Sequence, residues 1–240
     1  MAIVRILIVG AGRAGTSFAG ALRGHHEVSL VHHDEPLDAL AVDLVLLCVR
    51  DDAIAATSRR VANTAGAVVA HVAGSRGLEV LDGHARTGSL HPLVTMPDGS
   101  TGAKRLHGAV FALEGDELLA DLVSTLGGRV IRVDPARRAL YHATAAVAAN
   151  HLVALMGHVE SLAAATGVHL DDFIALARQA LEDVARVGPA RALTGPASRD
   201  DATTIDAHLA VLPVAERPLY VALAERARRL AREGATSCAG

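Results

Sequence analysis

A continuous apolar run that ends in a glycine-rich loop constrains the fold of this chain more than any other feature. The run "VRILIVG" covers residues 4–10, and its β-branched composition is typical of a strand buried on both faces. It leads directly into "AGRAG", so Gly10, Gly12 and Gly15 form a G-x-G-x-x-G frame that opens a short helical segment. Strand, glycine loop and helix in this order are typical of a βαβ unit that binds the pyrophosphate of a dinucleotide.

Each glycine of the frame has a separate expected role. Gly10 allows a tight turn, Gly12 lets the backbone approach a pyrophosphate, and Gly15 lets the helix pack close to the strand. The start of the helix supplies free N–H groups and a partial positive charge. The alternative interpretation is a strand–helix turn without a ligand. The residues that we expect to bind the dinucleotide at this loop are Gly10, Gly12, Arg13, Ala14 and Gly15.

The end of the second predicted strand, "EVSLVHH" at 27–33, bears on the choice between NAD and NADP. An NAD-binding protein usually has a carboxylate there, about twenty residues after the loop. His32 takes that position here, followed by His33, and Asp34 lies further out. Arg13 in the loop is placed to reach a 2′-phosphate. These features favour NADP over NAD; the alternative is that the two histidines are a solvated strand end.

Strands alternate with helices over residues 1–135, which predicts an α/β fold with a doubly wound parallel Rossmann sheet. After Asp134-Pro135 the pattern is almost entirely helical, so residues 136–240 are predicted to form an all-α C-terminal domain. The further predicted strands are 42–50, 66–74, 107–115 and 127–135, and the helices of the C-terminal part are 136–165, 171–188, 200–212 and 216–233. Residues at the ends of the third and fourth strands are expected to face the cofactor, namely Val49, Arg50, Gly74 and Ser75.

Composition excludes several other classes of function. The formal net charge of −3 gives no reason to expect nucleic acid or an anionic membrane as partner. No stretch is apolar enough to suggest a membrane span, because polar residues interrupt the best candidate, 139–165. Cys48 and Cys238 lie far apart, which favours a cytoplasmic location without a disulfide framework. The thirteen histidines have no metal-ligand spacing, so no metal is expected.

The order of several segments supports a family resemblance that covers nearly the whole chain. The segments are "ILIVGAGRAG", "LLCVRDDAI", "VVAHVAGSRGLEVL", "GSLHPL", "LYHATAAVAAN" and "ALTGPASRDDATTIDAHL". In this order they resemble NAD(P)-binding Rossmann-like proteins related to the 6-phosphogluconate dehydrogenase superfamily, whose helical C-terminal part is known only as a domain of unknown function. Some members are thought to be ketopantoate reductases. The resemblance implies an NADPH-binding domain and a helical domain that dimerises and helps to bind a small substrate.

The chain departs from that family pattern at three places. Arg50 stands where the family usually has a proline, and the Arg-Gly-Asp that usually follows "TGP" is Arg-Asp-Asp here, at 199–201. Many hydroxyacid dehydrogenases of the wider superfamily have a lysine four residues before the helical asparagine. Counting back from Asn150 reaches Ala146, and Lys104 is the single lysine of the chain. If a carbonyl group is reduced, another residue must donate the proton.

His91 in "GSLHPL" is the first candidate for that proton donor. Histidine titrates near neutral pH, and Pro92 restricts the backbone of the residue before it. We expect His91 to follow the fourth strand and its helix, at the edge of the sheet where ligands gather. A His-Pro in a comparable place also occurs in prephenate dehydrogenases, which this chain resembles there and in the Rossmann core. The alternative is a packed turn residue.

Two candidates on the long helix and one in the following loop complete the predicted site. His142 and Asn150 are about 80° apart around a helix and two turns apart along it, so they can line one wall. Arg199 is the candidate for binding a substrate carboxylate. The alternatives are a helix-packing hydrogen bond for Asn150 and a surface position beside a helix cap for Arg199. Tyr141 is expected to pack, and His71 to be a satisfied core histidine.

These features favour an NADP-dependent oxidoreductase that reduces a small 2-oxo acid, with ketopantoate as the first compound to test. A dehydrogenase of the prephenate or imine type is the second hypothesis. The third is a non-catalytic dinucleotide sensor, which the missing lysine keeps open.

Overall fold

The structure is a computed structural model that describes residues 2–64 and 66–237, so Cys238 lies outside the described residues. It divides into two compact units, Met1–Ala149 and Asn150–Gly240. The predicted boundary at residue 135 marks the end of the strands and falls within the first unit.

A seven-stranded sheet forms the first unit, with the strand order β2-β1-β3-β4-β5-β6-β7. The strands are β1 (Arg5–Val9), β2 (Glu27–Val31), β3 (Leu44–Leu47), β4 (Val68–His71), β5 (Thr87–Pro92), β6 (Val110–Gly115) and β7 (Arg129–Ile131). The Rossmann-like α/β architecture is confirmed. The sheet is mostly parallel, as predicted, and the one antiparallel pair is β5 with β6.

Apolar side chains on both faces of the sheet explain the continuous hydrophobic runs. Along β1, Ile6 and Ile8 pack in one core cluster, whereas Leu7 and Val9 pack in the other. Such alternation of direction along a strand, with both faces covered, is typical of strands between two layers of helices. The helices of the first unit are α1 (Arg13–Leu22), α2 (Ile54–Ser58), α3 (Gly99–Leu106), α4 (Leu118–Thr125) and α5 (Arg138–Ala146).

Strand β5 was not predicted. His91 follows the fourth strand and a short helix, as expected, and is the fifth of the six residues of β5. Gly88, Ser89 and Pro92 give this segment a low strand propensity. Its pairing with β4 on one side and with β6 on the other overrides that propensity.

The second unit consists of helices. They are α6 (Leu152–Thr166), α7 (Leu170–Val187), α8 (Pro189–Ala192), α9 (Ala202–Val211) and α10 (Arg217–Ser237). Among its residues with described burial, 150–234, the only fully buried ones are Ala163 and Ile205. Large apolar side chains are exposed instead, for example Val153 (71%) and Val211 (81%).

The helical stretch Pro135–Thr166 is long and apolar enough, by length and composition only, to cross a membrane. The corresponding segment was expected to be too polar to span a membrane, because His142, Asn150 and Glu160 lie within it. It is the one stretch of this kind among the described residues, and buried core helices outside membranes meet the same criterion. The expectation of no membrane partner stays a prediction.

Candidate functional site

Two glycines of the loop are required by the fold itself. Gly10 has a φ of +107°, and a Cβ atom there would lie 2.6 Å from the carbonyl oxygen of Cys48. A Cβ atom on Gly15 would lie 1.8 Å from the carbonyl oxygen of Gly10. Because these neighbours are backbone atoms, larger residues at Gly10 or Gly15 would force the loop and the sheet apart.

Gly12 differs from Gly10 and Gly15, the other two glycines of the frame. A Cβ atom added there would meet nothing within 4 Å, and its φ of −77° and ψ of −168° suit any residue. Gly12 is the N-cap of α1 and provides no side-chain cap, and the first turn of α1 contains no acidic residue. The first N–H groups of α1 have no acceptor within the helix and face an open space with a partial positive potential.

A cavity of about 380 Å³ adjoins this loop at the ends of β1, β2 and β3. Its lining residues are Gly10, Ala11, Gly12, His32, His33, Cys48, Val49, Arg50 and Ala53. The structure therefore brings together six residues predicted to bind the cofactor, and adds Ala11, Cys48 and Ala53. Arg13, Ala14, Gly15, Gly74 and Ser75 are not part of this lining.

The charged groups around the cavity are only partly free to meet a ligand. Arg50 donates to Asp52 at 2.9 Å and is widely exposed. Arg13 lies exposed at the first position of α1. Arg60 was not predicted: it donates to the carbonyl oxygens of His33 and Glu35, and so holds the turn after β2 in place.

A second polar group surrounds His91 at the end of β5. His91 Nδ1 lies 2.9 Å from the Tyr141 hydroxyl of α5. The ring of His142 lies 5.9 Å from that of His91, at an interplanar angle of 72°. A Cβ atom on Gly74, in the loop after β4, would lie 2.8 Å from both imidazoles, so a larger residue there would displace the rings. We call His91, Tyr141, His142 and Gly74 the histidine cluster.

Tyr141 was expected to be a packing residue, but its side chain makes a polar contact. Its hydroxyl is paired with His91, fifty positions away in the chain. No local pattern connects two residues at that separation, and strand β5 itself was not predicted. The contact therefore becomes visible only when β5 and α5 are in place.

His91 is neutral at physiological pH. Burial lowers its pKa to about 4, and the nearby His142 and the guanidinium of Arg138 act in the same direction. Burial also raises the pKa of Tyr141. The 2.9 Å contact therefore joins an uncharged imidazole to an uncharged phenol. A charged imidazolium is not the proton donor that this cluster offers near neutral pH.

Arg138 places a positive charge beneath the histidine cluster. Its side chain is 9% exposed and is ion-paired with Glu114 of β6. It also donates to Ser89 Oγ of β5 at 3.3 Å. Within the described part of the chain its Nε is buried without a hydrogen-bond partner. Glu114 pairs with only one nitrogen of the Arg138 guanidinium. The positive charge of Arg138 therefore still favours an anion near the histidine cluster.

His71 and Ser75 have structural contacts. The His71 Nδ1 accepts from the N–H of Ala73 at 3.2 Å, and its Nε2 lies 3.1 Å from the Gly77 carbonyl oxygen. Both ring nitrogens are thus used, in agreement with the satisfied core histidine expected from the sequence. Ser75 Oγ donates to Asp51, which ties together the loops that follow β4 and β3.

The predicted residues of the second unit have exposed side chains. Asn150 lies in a π-helical turn, Val147–His151, a local geometry that is frequent at functional sites. Arg199 ends a short 3₁₀ helix and is exposed. Asp201 caps α9 through the N–H of Thr204 at 3.0 Å, which is the helix cap considered as the alternative for this segment. The catalytic role of Asn150 and the substrate role of Arg199 stay predictions.

Asp200 explains one departure from the family pattern. It has a left-handed conformation, with φ +55° and ψ +33°, at the position where the resembling proteins have glycine. Aspartate tolerates this region better than most residues do. The Asp200 carboxylate also forms an ion pair with the guanidinium of Arg228, at 3.0 Å. The backbone geometry of the turn is therefore kept although the glycine is absent.

Comparison with known families and structures places the chain among Rossmann-like proteins. Residues 109–227, just under half of the chain, match the family model "Domain of unknown function (DUF2520)". A "putative NADP oxidoreductase" from Bacteroides fragilis is similar with a TM-score of 0.78 and 20% identity, over 95% of this chain and 98% of that one. A reductive aminase from Aspergillus terreus in complex with NADPH gives 0.69 and 17%, over 97% and 95%.

Other comparisons agree with this placement. A protein from Thermotoga maritima is similar with a TM-score of 0.72 and 19% identity, over 95% of this chain and 98% of that one. A search of the curated proteins gives no significant match. The structural similarities establish the fold, a Rossmann-like sheet followed by a helical C-terminal unit. Among the described residues, no group of three or more His, Cys, Asp or Glu is arranged to hold a metal ion.

Proposed function

We propose that this protein is an NADP-dependent oxidoreductase that transfers a hydride between the nicotinamide and a small substrate. The observation that carries the proposal is Gly12: the fold leaves the space above it open, whereas it fills the space at Gly10 and Gly15. A glycine that the fold does not need, at the start of a helix beside a cavity, fits the approach of a diphosphate.

The residues present fit the cofactor. Backbone N–H groups at the start of α1 would hold the diphosphate, and Arg13 with His32 and His33 would meet a 2′-phosphate. Among structures with this fold, the Aspergillus terreus reductive aminase binds NADPH, and a pyrroline carboxylate reductase from Plasmodium falciparum has NADP bound. When bound, the cofactor supplies the hydride; binding, orientation and proton transfer belong to the chain's own residues.

The histidine cluster supports reduction of a small anionic carbonyl compound. His91 and Tyr141 are uncharged there, and the cation nearest to them is the guanidinium of Arg138, which is ion-paired with Glu114. Such surroundings favour a carboxylate over a cation. A 2-oxo acid is therefore the substrate class that we propose, with ketopantoate first. His91 would donate the proton to the developing alkoxide, with His142 and Asn150 as further candidates and Arg199 for the carboxylate.

Reduction of an imine is the second candidate. The fold is shared with a reductive aminase and with a pyrroline carboxylate reductase. The lysine that serves many hydroxyacid dehydrogenases is also absent from this chain. A cationic iminium is disfavoured near Arg138, so a neutral imine that also bears a carboxylate fits the cluster better than a simple amine-derived iminium.

Two features of the proposal concern the surroundings of the protein. The exposed apolar side chains of the second unit, among them Val153, Leu176 and Val211, support a homodimer, because patches of this kind usually mark interaction surfaces. The cysteine usage supports a cytoplasmic location.

One experiment tests the proposed function. Purified protein is titrated with NADPH and with NADH, and binding is followed by nicotinamide fluorescence. Ketopantoate, other 2-oxo acids and a set of imines are then added, and oxidation of NADPH is followed by absorbance. Tight NADPH binding with turnover of a 2-oxo acid is expected. Binding without turnover across the panel would instead favour a dinucleotide sensor, and a preference for NADH would contradict the cofactor assignment.

A further inference from the structure

We infer that Tyr141 is a catalytic residue that acts together with His91 as a two-member proton relay to the reduced substrate. This inference rests on the proposed function and deepens it by naming the proton source. From its position in the sequence alone, Tyr141 was expected to be a packing residue.

The geometry of the pair is suited to proton transfer. Tyr141 Oη lies 2.9 Å from His91 Nδ1, within the range of a normal hydrogen bond. The two rings are nearly perpendicular, with centroids 5.6 Å apart and an interplanar angle of 89°. When the phenol donates to Nδ1, the proton of the neutral imidazole is on Nε2. That nitrogen borders Gly74 at the end of β4, on the edge of the sheet where ligands bind in this fold.

The proton count balances without any other reactant than water. As hydride addition makes the substrate oxygen (or nitrogen) basic, the His91 Nε2–H bond breaks and an O–H (or N–H) bond forms on the product. The Tyr141 Oη–H bond breaks while Nδ1–H forms, which leaves a phenolate. Water then protonates Nε2, and Nδ1 returns its proton to the Tyr141 oxygen. Each turnover thus takes one proton from solvent.

The charged and titratable groups packed around the pair favour this route. Arg138 and His142 of α5 and His71 of β4 all lower the pKa of His91, and Asp51 after β3 acts in the opposite direction. Glu114 of β6 is ion-paired with Arg138. A permanently charged imidazolium is therefore disfavoured. Burial also raises the pKa of Tyr141, so its phenolate would form only transiently, and the nearby Arg138 cation acts in the opposite direction to burial. A neutral imidazole can pass a proton on only if another group replaces it, and Tyr141 is that group.

The chain contains its own matched control. It has two tyrosines, and the other, Tyr220 of α10, also contacts a histidine: its hydroxyl lies 2.6 Å from His208 Nδ1, with the rings at 84°. Tyr220→Phe removes the same atom from the same kind of pair, in the second unit and outside the histidine cluster.

The first experiment compares Tyr141→Phe with Tyr220→Phe in the full-length protein. We expect Tyr141→Phe to lower kcat about 100-fold, a typical contribution of general acid catalysis, while the Kd for NADPH and the KM change less than about threefold. Tyr220→Phe is expected to keep the wild-type kcat. Equal kcat values for the two variants would overturn the relay.

A second experiment separates proton donation from a purely structural role. In the Tyr220→Phe background Tyr141 is the sole tyrosine, so 3-fluorotyrosine supplied during expression labels this position alone. Fluorination makes the phenol more acidic with little change of shape, so the alkaline limb of kcat should move to lower pH. An unmoved limb would refute donation by Tyr141. If instead the wild-type protein oxidises NADPH with no member of the panel, the proposed function itself fails, which is a distinguishable result.

Discussion

Replacement of Gly12 by alanine tests whether glycine at this position is required for the stability of the fold or for binding of the dinucleotide. The added methyl group meets no protein atom within 4 Å, and the backbone of Gly12 is extended. The fold therefore has no reason to require glycine there. Binding of a diphosphate against the start of α1 does supply a reason, because the methyl group would occupy the space through which the backbone N–H groups reach the phosphates.

The expected effect on stability is small. Alanine is a poorer N-cap than glycine by roughly 0.5–1 kcal/mol, whereas loss of glycine flexibility in the unfolded chain contributes about 0.4–1 kcal/mol in the opposite direction. The net change in the free energy of unfolding should stay within about 0.5 kcal/mol. For a chain of this size that corresponds to a shift in Tm of roughly 2 °C or less.

The expected effect on the cofactor is much larger. Displacing the diphosphate costs at least one hydrogen bond between a backbone N–H and a charged oxygen, or about 1.5–3 kcal/mol. The Kd for NADPH should therefore rise about 10- to 150-fold.

The Gly12→Ala and wild-type proteins are compared in Tm, by calorimetry, and in Kd for NADPH, by nicotinamide fluorescence. Two further glycine-to-alanine variants serve as controls. Gly24→Ala also adds a methyl group that meets nothing within 4 Å, but it precedes β2 at the opposite edge of the sheet and should leave Kd unchanged. Gly15→Ala places a Cβ atom 1.8 Å from the Gly10 carbonyl oxygen and should destabilise the protein by about 1–3 kcal/mol or more. A Gly12→Ala protein that binds NADPH as tightly as wild type would refute the reasoning.

Three further perturbations, two at the histidine cluster and one in the second unit, test individual contacts and backbone geometry. Glu114→Ala leaves the buried guanidinium of Arg138 without its carboxylate, and should lower the free energy of unfolding by about 3 kcal/mol; urea unfolding measures this, and an unchanged midpoint would contradict it. The pKa of His91 is about 4 in the folded protein and about 6.5 in the unfolded chain, so the unfolded chain binds the proton first. Stability is therefore full above pH 6.5 and should fall by up to about 3 kcal/mol as the pH is lowered through that window; His91→Asn should reduce the fall, and parallel pH profiles would count against it. Asp200→Gly relieves a left-handed aspartate and should stabilise by about 0.5–1 kcal/mol, since the exposed ion pair that is lost contributes little; a drop in Tm would show that the pair matters more than the backbone.

Features set by local sequence could be predicted, and features set by distant contacts could not. The first strand, the glycine loop and α1 are adjacent in the chain, and their composition is sufficient to define them. Strand β5 has weak propensity of its own and forms because β4 and β6 lie on either side of it. The pair of His91 and Tyr141 depends on that strand and on the position of α5, so it could not be predicted.

The same distinction applies to charge. His71 could be predicted as a satisfied core residue because a histidine within a continuous apolar strand must find local partners. Nothing in the sequence around Arg138 indicates that it is buried. Its burial against Glu114 and Ser89 follows from the register that places Ser89 opposite Glu114 in the sheet, a relation that connects three elements of the chain.

The reversal between β5 and β6 has a consequence for how the chain returns to the ligand edge. Because β6 and β7 run antiparallel to β1–β5, the last strand ends at the edge of the sheet opposite the ligand-binding edge. Helix α5 then runs back alongside β5. Arg138 contacts Ser89, the third residue of that strand, and Tyr141 contacts His91, the fifth. The position of the Tyr141 hydroxyl therefore depends on the rotation of α5 about its own axis. One inserted residue between positions 138 and 141 would rotate the hydroxyl by about 100° around the helix axis. We therefore expect an insertion in this turn to disrupt the contact with His91, whereas insertions elsewhere on the surface would leave it in place.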